Sequence, residues 1–201
     1  MMRRHFPFFI LLLALAACAG QAPPPDAFHR IQPAAPTRLA APLLPGVVEV
    51  ERLATDAVLA ERAITFQPKD GGALVHYNYD YWSEPPGVLV QDRLAAHLAA
   101  AGIADRVVTP DLRVLADWTV RGKLRRFEHL TASSSVAVEV QLAVVSARDG
   151  TLVLLETYEA RIPTLGGGVE AAVAAVEKGV SDIFVRLVAD LGRARAKGAR
   201  P

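Results

Sequence analysis

Three long stretches of alternating apolar and polar residues constrain the fold of this chain most strongly. They cover residues 115–129, 134–147 and 151–162. In the second stretch large apolar residues occupy every other position: Val136, Val138, Val140, Leu142 and Val144. A period of two is typical of a strand with one buried face and one solvent-exposed face. Asp149 and Gly150 predict a tight hairpin turn, so we expect antiparallel strands here.

Two other segments have a helical period. Pro85 and Pro86 predict a helix start, and apolar residues recur every three or four positions over residues 88–101. A longer apolar stripe covers residues 169–191. Shorter strands are predicted at residues 46–53, 63–67, 73–82 and around 107–108. This order of elements predicts an α+β fold, in which two main helices pack on one face of a mostly antiparallel sheet.

The N-terminus has the pattern of a bacterial lipoprotein signal peptide. Arg3 and Arg4 precede an apolar run that is shorter than the ~20 residues of a membrane-spanning helix. The run ends in a Leu-Ala-Ala-Cys sequence that matches a lipobox. We therefore predict a cleaved signal peptide over residues 1–17 and a lipid on Cys18, the only cysteine of the chain. By resemblance to the sorting of such lipoproteins, Ala19 rather than Asp after the cysteine favours the outer membrane over the inner membrane.

Composition divides the rest of the chain into three parts. Prolines and alanines dominate residues 18–45, which predicts an extended tether. Residues 46–192 carry the main strand and helix patterns and are long enough for one α+β domain without disulfides. Residues 193–201 form a basic tail, which we interpret as solvated, with attraction to an anionic membrane surface as the alternative.

The charge balance does not favour a nucleic-acid partner. The chain has 22 basic and 21 acidic residues, and cleavage of the signal peptide removes Arg3 and Arg4 but no acidic residue. The mature chain is therefore close to neutral. Nucleic-acid-binding proteins carry a basic face or stripe, so we expect no nucleic acid among the partners.

Catalytic and metal-binding patterns are weak in this sequence. Gly166–Gly168 resembles a phosphate-binding loop, but no Lys-Ser or Lys-Thr pair follows, which favours a hinge. His129 lies near Ser133–Ser135 without a nucleophile-elbow motif, which favours a turn. The histidines lack paired ligand spacing. We therefore expect a non-enzymatic protein with no catalytic residue, metal or cofactor.

Two groups of residues are candidates for a contact surface. The first is an aromatic cluster before the first helix. In the structural interpretation Tyr77, Tyr79 and Tyr81 share one strand face and brace Trp82 against the helix. As a contact patch, Tyr79, Tyr81 and Trp82 would supply large rigid anchors. The second group is a row of cations, interpreted as a solvated face or alternatively as an anion site: Arg121, Lys123 and Arg125.

In these features the chain resembles the ABC-type transport auxiliary lipoproteins, the family that contains the lipoprotein of the paraquat-inducible Pqi system. The resemblance covers most of the mature chain and is one of pattern rather than of a catalytic signature. It rests on the following residues: Cys18, Phe28–Ile31, Arg62–Ile64, the tyrosine-rich strand up to Pro85, Leu124–Glu128, Asp149, Gly150 and the final helix.

The resemblance implies a lipid-anchored protein on the periplasmic face of the outer membrane. Such a protein is the auxiliary component of a transport system that moves lipid between membranes. Its implied partners are an MCE-domain protein and the permease and ATPase of an inner-membrane ABC transporter, with phospholipid as a further candidate. The expected mechanism is docking to the MCE assembly. The proline-rich tether leaves open whether residues 27–32 join the sheet.

Two other functions are compatible with the residues. A periplasmic lipid carrier would enclose an acyl chain in its own apolar cavity. A lipoprotein that activates or braces cell-wall machinery would bind a cell-wall synthase instead of an MCE protein. The sequence alone does not separate these alternatives from transport.

Overall fold

The computed structural model describes residues 23–198, in which nine strands form one curled sheet and two long helices cover it. The strands are β1 Ala27–His29, β2 Leu44–Val50, β3 Ala54–Thr55, β4 Ala63–Gln67, β5 Val75–Trp82, β6 Ala104–Val108, β7 Trp118–Leu130, β8 Ser135–Ser146 and β9 Leu152–Pro163. The helices are α1 Pro86–Ala101 and α2 Val169–Gly198. The predicted α+β fold is confirmed.

The long strand β7 organises the sheet by pairing along both edges. On one side it pairs antiparallel with β8, which pairs antiparallel with β9. On the other side β2, β3 and β4 pair in parallel with successive parts of β7. Strand β6 extends the sheet from β2, and β5 and β1 extend it from β4. The two long ladders are the predicted antiparallel strands, whereas the parallel pairings make the whole sheet mixed.

The apolar face of β8 forms the base of the core. Its five alternating residues, from Val136 to Val144, are at most 2% exposed. Helix α2 packs against β8 and β9, and α1 packs against β2, β6 and β7. The two helices meet where the ring of His97 contacts the edge of Phe184 at 5.3 Å between centroids. Burial of each large apolar side chain in this core stabilises the fold by roughly 1.5–3 kcal/mol.

Helix α1 begins and ends as its sequence predicts. Pro86 lies in the first turn, where the missing N–H costs no helical hydrogen bond. Gly102 has a φ of 67°, the left-handed conformation that favours glycine, and its N–H donates to the carbonyl oxygens of Leu98 and Ala99. The helix therefore ends at Ala101, and the chain enters β6.

The segment predicted as a tether is part of the folded layer from Ala27 onward. Strand β1 pairs in parallel with β5, so residues 27–29 do join the sheet. Ile31 is fully buried. Residues 32–43, named here the strap, then run across α2 and the end of α1 to β2. The predicted signal peptide and Cys18 lie outside the described residues.

Helix α2 also extends beyond the predicted end of the domain at residue 192. It continues to Gly198, through most of the predicted basic tail. The Nε of Arg195 donates to the carbonyl oxygen of Leu43 at 3.2 Å. The guanidinium of Arg195 also lies 5.2 Å from the ring centroid of Trp118. Arg195 is thus held by the strap and by β7 rather than being free in solvent.

The close approach of β7 and β8 at Gly122 gives a test of the central ladder. A Cβ at this position would collide with the carbonyl oxygen of Gln141. We expect Gly122→Ala to lower the free energy of unfolding by roughly 1–3 kcal/mol, because the strands must separate locally. Urea denaturation measures this change. Gly167→Ala, where no atom lies within 4 Å, is the matched control and should change stability by less than about 0.5 kcal/mol.

Candidate functional site

Trp82 belongs to the core and not to a contact surface. Only 1% of the residue is exposed, and its indole packs against Phe127 with ring centroids 5.0 Å apart. A partner therefore cannot reach this side chain without unfolding the sheet. Trp82 is therefore a core residue, and its assignment as a partner contact is corrected.

The tyrosines of β5 do not all lie on one face of the strand. The expectation that Tyr77, Tyr79 and Tyr81 share a face is therefore wrong. Tyr77 turns towards β7, where its hydroxyl lies 2.7 Å from Nδ1 of His129. Tyr81, four residues later, stacks instead on the exposed ring of Phe28. The β4–β5 pairing shifts register between Ala63 and Thr65, which breaks strict alternation along the strand. This irregularity separates the tyrosines into two environments.

An exposed aromatic patch lies at the β1–β5 edge of the sheet. Phe28 is 55% exposed, and its ring centroid lies 5.7 Å from that of Tyr81. The guanidinium of Arg62 lies 5.4 Å from the Phe28 centroid, within the range of a cation–π contact. Tyr79 is also exposed. We name Phe28, Arg62, Tyr79 and Tyr81 the aromatic patch. Sequence reasoning missed the roles of Phe28 and Arg62, since strand pairing alone brings them beside Tyr81.

The cationic row lies on the solvent-exposed face of β7, as predicted, but each cation has an acidic neighbour. The shortest contact joins Lys123 Nζ to Asp56 Oδ1 at 2.6 Å. The other two contacts are longer: Arg121 to Glu51 at 4.0 Å and Arg125 to Glu139 at 3.9 Å. Exposed ion pairs of this kind contribute little to stability. The row is therefore a solvated face with compensated charge, which is a poor anion site.

A loop between β6 and β7 exposes three large apolar side chains. Leu115 is 95% exposed, and Leu112 and Val114 are also exposed. We name residues 109–117 the apolar loop. Contiguous exposed apolar side chains are typical of interaction surfaces. The sequence analysis assigned Leu115 to a strand, so the strand period concealed this loop.

The base of the apolar loop is fixed to the sheet. The N–H of Asp117 donates to the carbonyl oxygen of Val47 at 2.9 Å, and the N–H of Val47 donates to the Asp117 carboxylate at 2.8 Å. The indole N–H of Trp118 donates to the carbonyl oxygen of Pro45 at 2.9 Å. These bonds hold the loop in place while its apolar side chains remain in solvent.

The chain enters the sheet at Ala27, the first residue of β1, and this point is called here the chain's entry. The strand directions place the apolar loop at the opposite end of the sheet. Strand β1 is parallel to β5, β5 is antiparallel to β4, and β4 is parallel to β7. Residues 23–26 therefore lie towards the C-terminal end of β7. The apolar loop precedes the N-terminal end of β7. The thirteen residues of β7 correspond to about 40 Å of extended strand.

A cleft lies under the strap, beside the two helices. It has a volume of about 420 Å³ and is bordered by the strap, by α2 and by His97 of α1. A second cavity of about 280 Å³ lies across the strap, and Ala35, Pro36 and His97 line both. His97 is 5% exposed, and neither ring nitrogen has a hydrogen-bond partner. Burial lowers the pKa of His97, although the Ala34 backbone nearby opposes this effect.

Two other pKa shifts occur at the His129 end of β7. Burial lowers the pKa of His129. Burial also raises the pKa of Tyr77, with a smaller contribution from the charge of Asp80. Both groups are therefore neutral near pH 7, and their short contact joins two uncharged side chains. Nothing in this pair has the arrangement of a nucleophile with its base.

Residues 23–198 contain no group of three or more His, Cys, Asp or Glu side chains placed to hold a metal ion. Over the same residues no helix is long and apolar enough to cross a membrane.

Comparison with known proteins identifies the family. The family model of the ABC-type transport auxiliary lipoprotein component matches residues 29–188, from β1 to within α2. The chain belongs to this family. The match confirms the resemblance in strand pattern and final helix described above, and the family description assigns it to transport. Curated proteins give no match.

Solved structures share the fold of the chain. The protein XCC0632 from Xanthomonas campestris, of the DUF330 family, aligns with a TM-score of 0.76 at 17% identity. The alignment covers 88% of this chain and 100% of that one. An uncharacterized protein aligns with a TM-score of 0.64 at 14% identity, covering 85% of this chain and 98% of that one. At these identities the likeness concerns the fold alone.

Because Trp82 is buried, its substitution should destabilise the protein. Substitution of an exposed contact residue should change stability little. We expect Trp82→Ala to lower the free energy of unfolding by roughly 3–5 kcal/mol, because it leaves a cavity against Phe127. Tyr79→Ala, at an exposed site of the same strand, should change it by less than about 0.5 kcal/mol. Urea denaturation of both variants checks this difference. Equal stability of the two variants would contradict the packing described here.

The lowered pKa of His97 predicts a stability that falls in mild acid. The unfolded chain binds a proton at this residue below about pH 6.5, while burial keeps the folded form neutral to lower pH. The contribution of neutral His97 to the free energy of unfolding is therefore complete above about pH 6.5 and is lost as the pH decreases. His129 acts in the same direction.

We expect His97→Leu to weaken this pH dependence without abolishing it. Melting temperatures measured from pH 7.5 to 5 follow the effect. His76→Gln, at an exposed position, is the control and should retain the wild-type profile. A His97→Leu profile parallel to that of the wild type would show that His97 titrates normally in the folded state.

Proposed function

We propose that the protein is a non-enzymatic, outer-membrane component of an ABC-type transport system and that it docks to the periplasmic MCE assembly of that system. The family match supports the transport role. The observation that carries the docking proposal is the apolar loop, with Leu115 95% exposed at the end of the sheet opposite the chain's entry.

The chain's entry and the apolar loop lie at opposite ends of the sheet. This arrangement suits a protein that is anchored to a membrane at one end and binds a partner at the other. In this proposal acyl chains on Cys18 anchor the protein, since two or more chains hold a protein stably on a membrane. Residues 19–26 then act as a short tether, with up to about 25 Å of reach in the polyproline form. The C-terminal end of β7 faces the membrane, and the apolar loop projects into the periplasm towards its partner.

The apolar loop has the chemistry of an interface anchor. Leu112, Val114 and Leu115 leave water only if a partner covers them, and each buried side chain would contribute roughly 1.5–3 kcal/mol of transfer free energy. Asp117 and Trp118 fix the base of the loop, which reduces the entropy lost on binding. The partner surface should therefore contain an apolar pocket or groove.

The contact residues suggested by the sequence have different roles in this proposal. Tyr79 and Tyr81, within the aromatic patch, remain accessible on the lateral edge and are proposed as a secondary contact. Trp82 is excluded by its burial, and the cationic row is already compensated by acidic neighbours. The main contact therefore moves from the aromatic strand to the apolar loop.

Crosslinking in the native envelope tests the docking site. We expect wild-type protein to recover an MCE-domain protein together with its ABC transporter. Leu112→Asp combined with Leu115→Asp should reduce this recovery at least tenfold, because each change places a charge in an apolar contact. Mass spectrometry of the crosslinked material measures the loss.

The matched control is Leu165→Asp. Leu165 is 97% exposed and follows β9, at the other end of the sheet, so this change should leave recovery at the wild-type level. Melting temperatures should be unchanged in all variants. Equal loss in the control, or recovery of a cell-wall synthase in place of an MCE protein, would refute the proposal.

A further inference from the structure

The strap forms a bridge that is tied at both ends and free in its middle. The Ala34 N–H donates to Ser181 Oγ of α2 at 2.9 Å. The Leu39 N–H donates to the carbonyl oxygen of Ala101 at the end of α1, also at 2.9 Å. Between these bonds, residues 35–38 pass over the space between the helices. The cleft of about 420 Å³ lies beneath this free span.

The α2 side of the cleft is an apolar trough. Its lining from the strap and α2 is almost free of polar side chains: Ala35, Pro36, Leu39, Leu43, Val185, Val188, Ala189 and Gly192, with Thr37 as the exception. The positions from Val185 to Gly192 extend over about 10 Å of helix axis. The volume lies within the usual range of small-molecule sites, and the apolar lining suits an alkyl chain.

The second cavity, on the α1 side of the strap, provides polar groups without partners. Arg93 and His97 are four residues apart, so they lie on the same face of α1. Both line the second cavity, and His97 also lines the trough. The Nε of Arg93 and both ring nitrogens of His97 are buried without a hydrogen-bond partner. Within the described part of the chain, no carboxylate lies within 4.0 Å of the Arg93 guanidinium.

Unpartnered buried donors beside an apolar trough define the ligand chemistry. Buried polar groups in native proteins are nearly always hydrogen-bonded, because an unsatisfied donor costs free energy. Arg93 is a permanent cation with a fork of donors that fits a carboxylate or phosphate. A ligand that fills both cavities must combine an anionic head with an alkyl tail.

We propose that the cleft and the second cavity, which share the wall formed by His97, together bind an amphiphile with a single alkyl chain and an anionic head group. The head lies on Arg93 and His97, and the tail lies in the trough along Val185, Val188 and Leu39. The strap covers the ligand and is tied to both helices. This site is separate from the apolar loop, so it does not depend on the proposed docking function.

Photocrosslinking of the full chain in lipid nanodiscs tests the site. Three diazirine probes of equal chain length are compared: a fatty acid, a lysophospholipid and a fatty alcohol. We expect at least one anionic probe to label peptides from residues 32–43 and 185–192. The alcohol should label them about tenfold less, because it lacks the charge that Arg93 binds. The preferred anionic probe distinguishes a carboxylate head from a phosphate head.

Variants separate binding in the cleft from general partition into lipid. Arg93→Gln removes the cation, and Ala189→Trp fills the trough from an exposed position; each should reduce labelling about tenfold. Arg106→Gln, on the exposed side of β6, is the matched control and should label like the wild type. Unchanged melting temperatures show that the variants fold.

Several results would overturn the proposal. Equal labelling by the alcohol and the acids would show that no anionic head is recognised. Labelling that is unaffected by Arg93→Gln and Ala189→Trp would place the probe elsewhere. A cleft that crosslinks to the protein's own N-terminal segment and excludes every probe would identify that segment as the occupant.

Discussion

The pairing of β7 along both of its edges is the interaction on which the rest of the structure depends. It pairs antiparallel with β8, which pairs in turn with β9, and α2 covers β8 and β9. Its parallel pairings place β2, β3 and β4 one after another on the opposite edge. Three separate parts of the chain thus converge on one strand. The same strand sets the distance between the chain's entry and the apolar loop, because these lie towards its two ends.

The strap joins the N-terminal segment to the fold and creates a cavity at the same time. The bonds from Ala34 to Ser181 and from Leu39 to Ala101 draw it over the space between the helices. Residues 35–38 lie between these two bonds, and the cleft lies beneath them. Arg195 adds a further tie by donating to Leu43. A segment rich in proline and alanine therefore acts as a structural cover.

The periodicity of apolar residues was enough to predict the three long strands and both helices. The strands β7, β8 and β9 and both helices overlap the predicted segments, since each pattern records which face of its own element is buried. The bounds differ, because β7 begins at Trp118 instead of Leu115 and α2 continues past residue 191. The contact candidates were less predictable. The acidic neighbours of Arg121 and Lys123 come from Glu51 and Asp56, which are distant in sequence and adjacent only through strand pairing.

Residue types and short-range spacing were enough to predict the lipoprotein pattern, the α+β class and the order of elements. The accessibility of side chains depends instead on the folded arrangement: Trp82 is buried, Leu115 is exposed, and Phe28 stacks on Tyr81. The same arrangement places the strap over a cleft with His97 inside. The physical reason is that register shifts and long-range pairings leave no periodic trace in the chain, although they determine which residues meet.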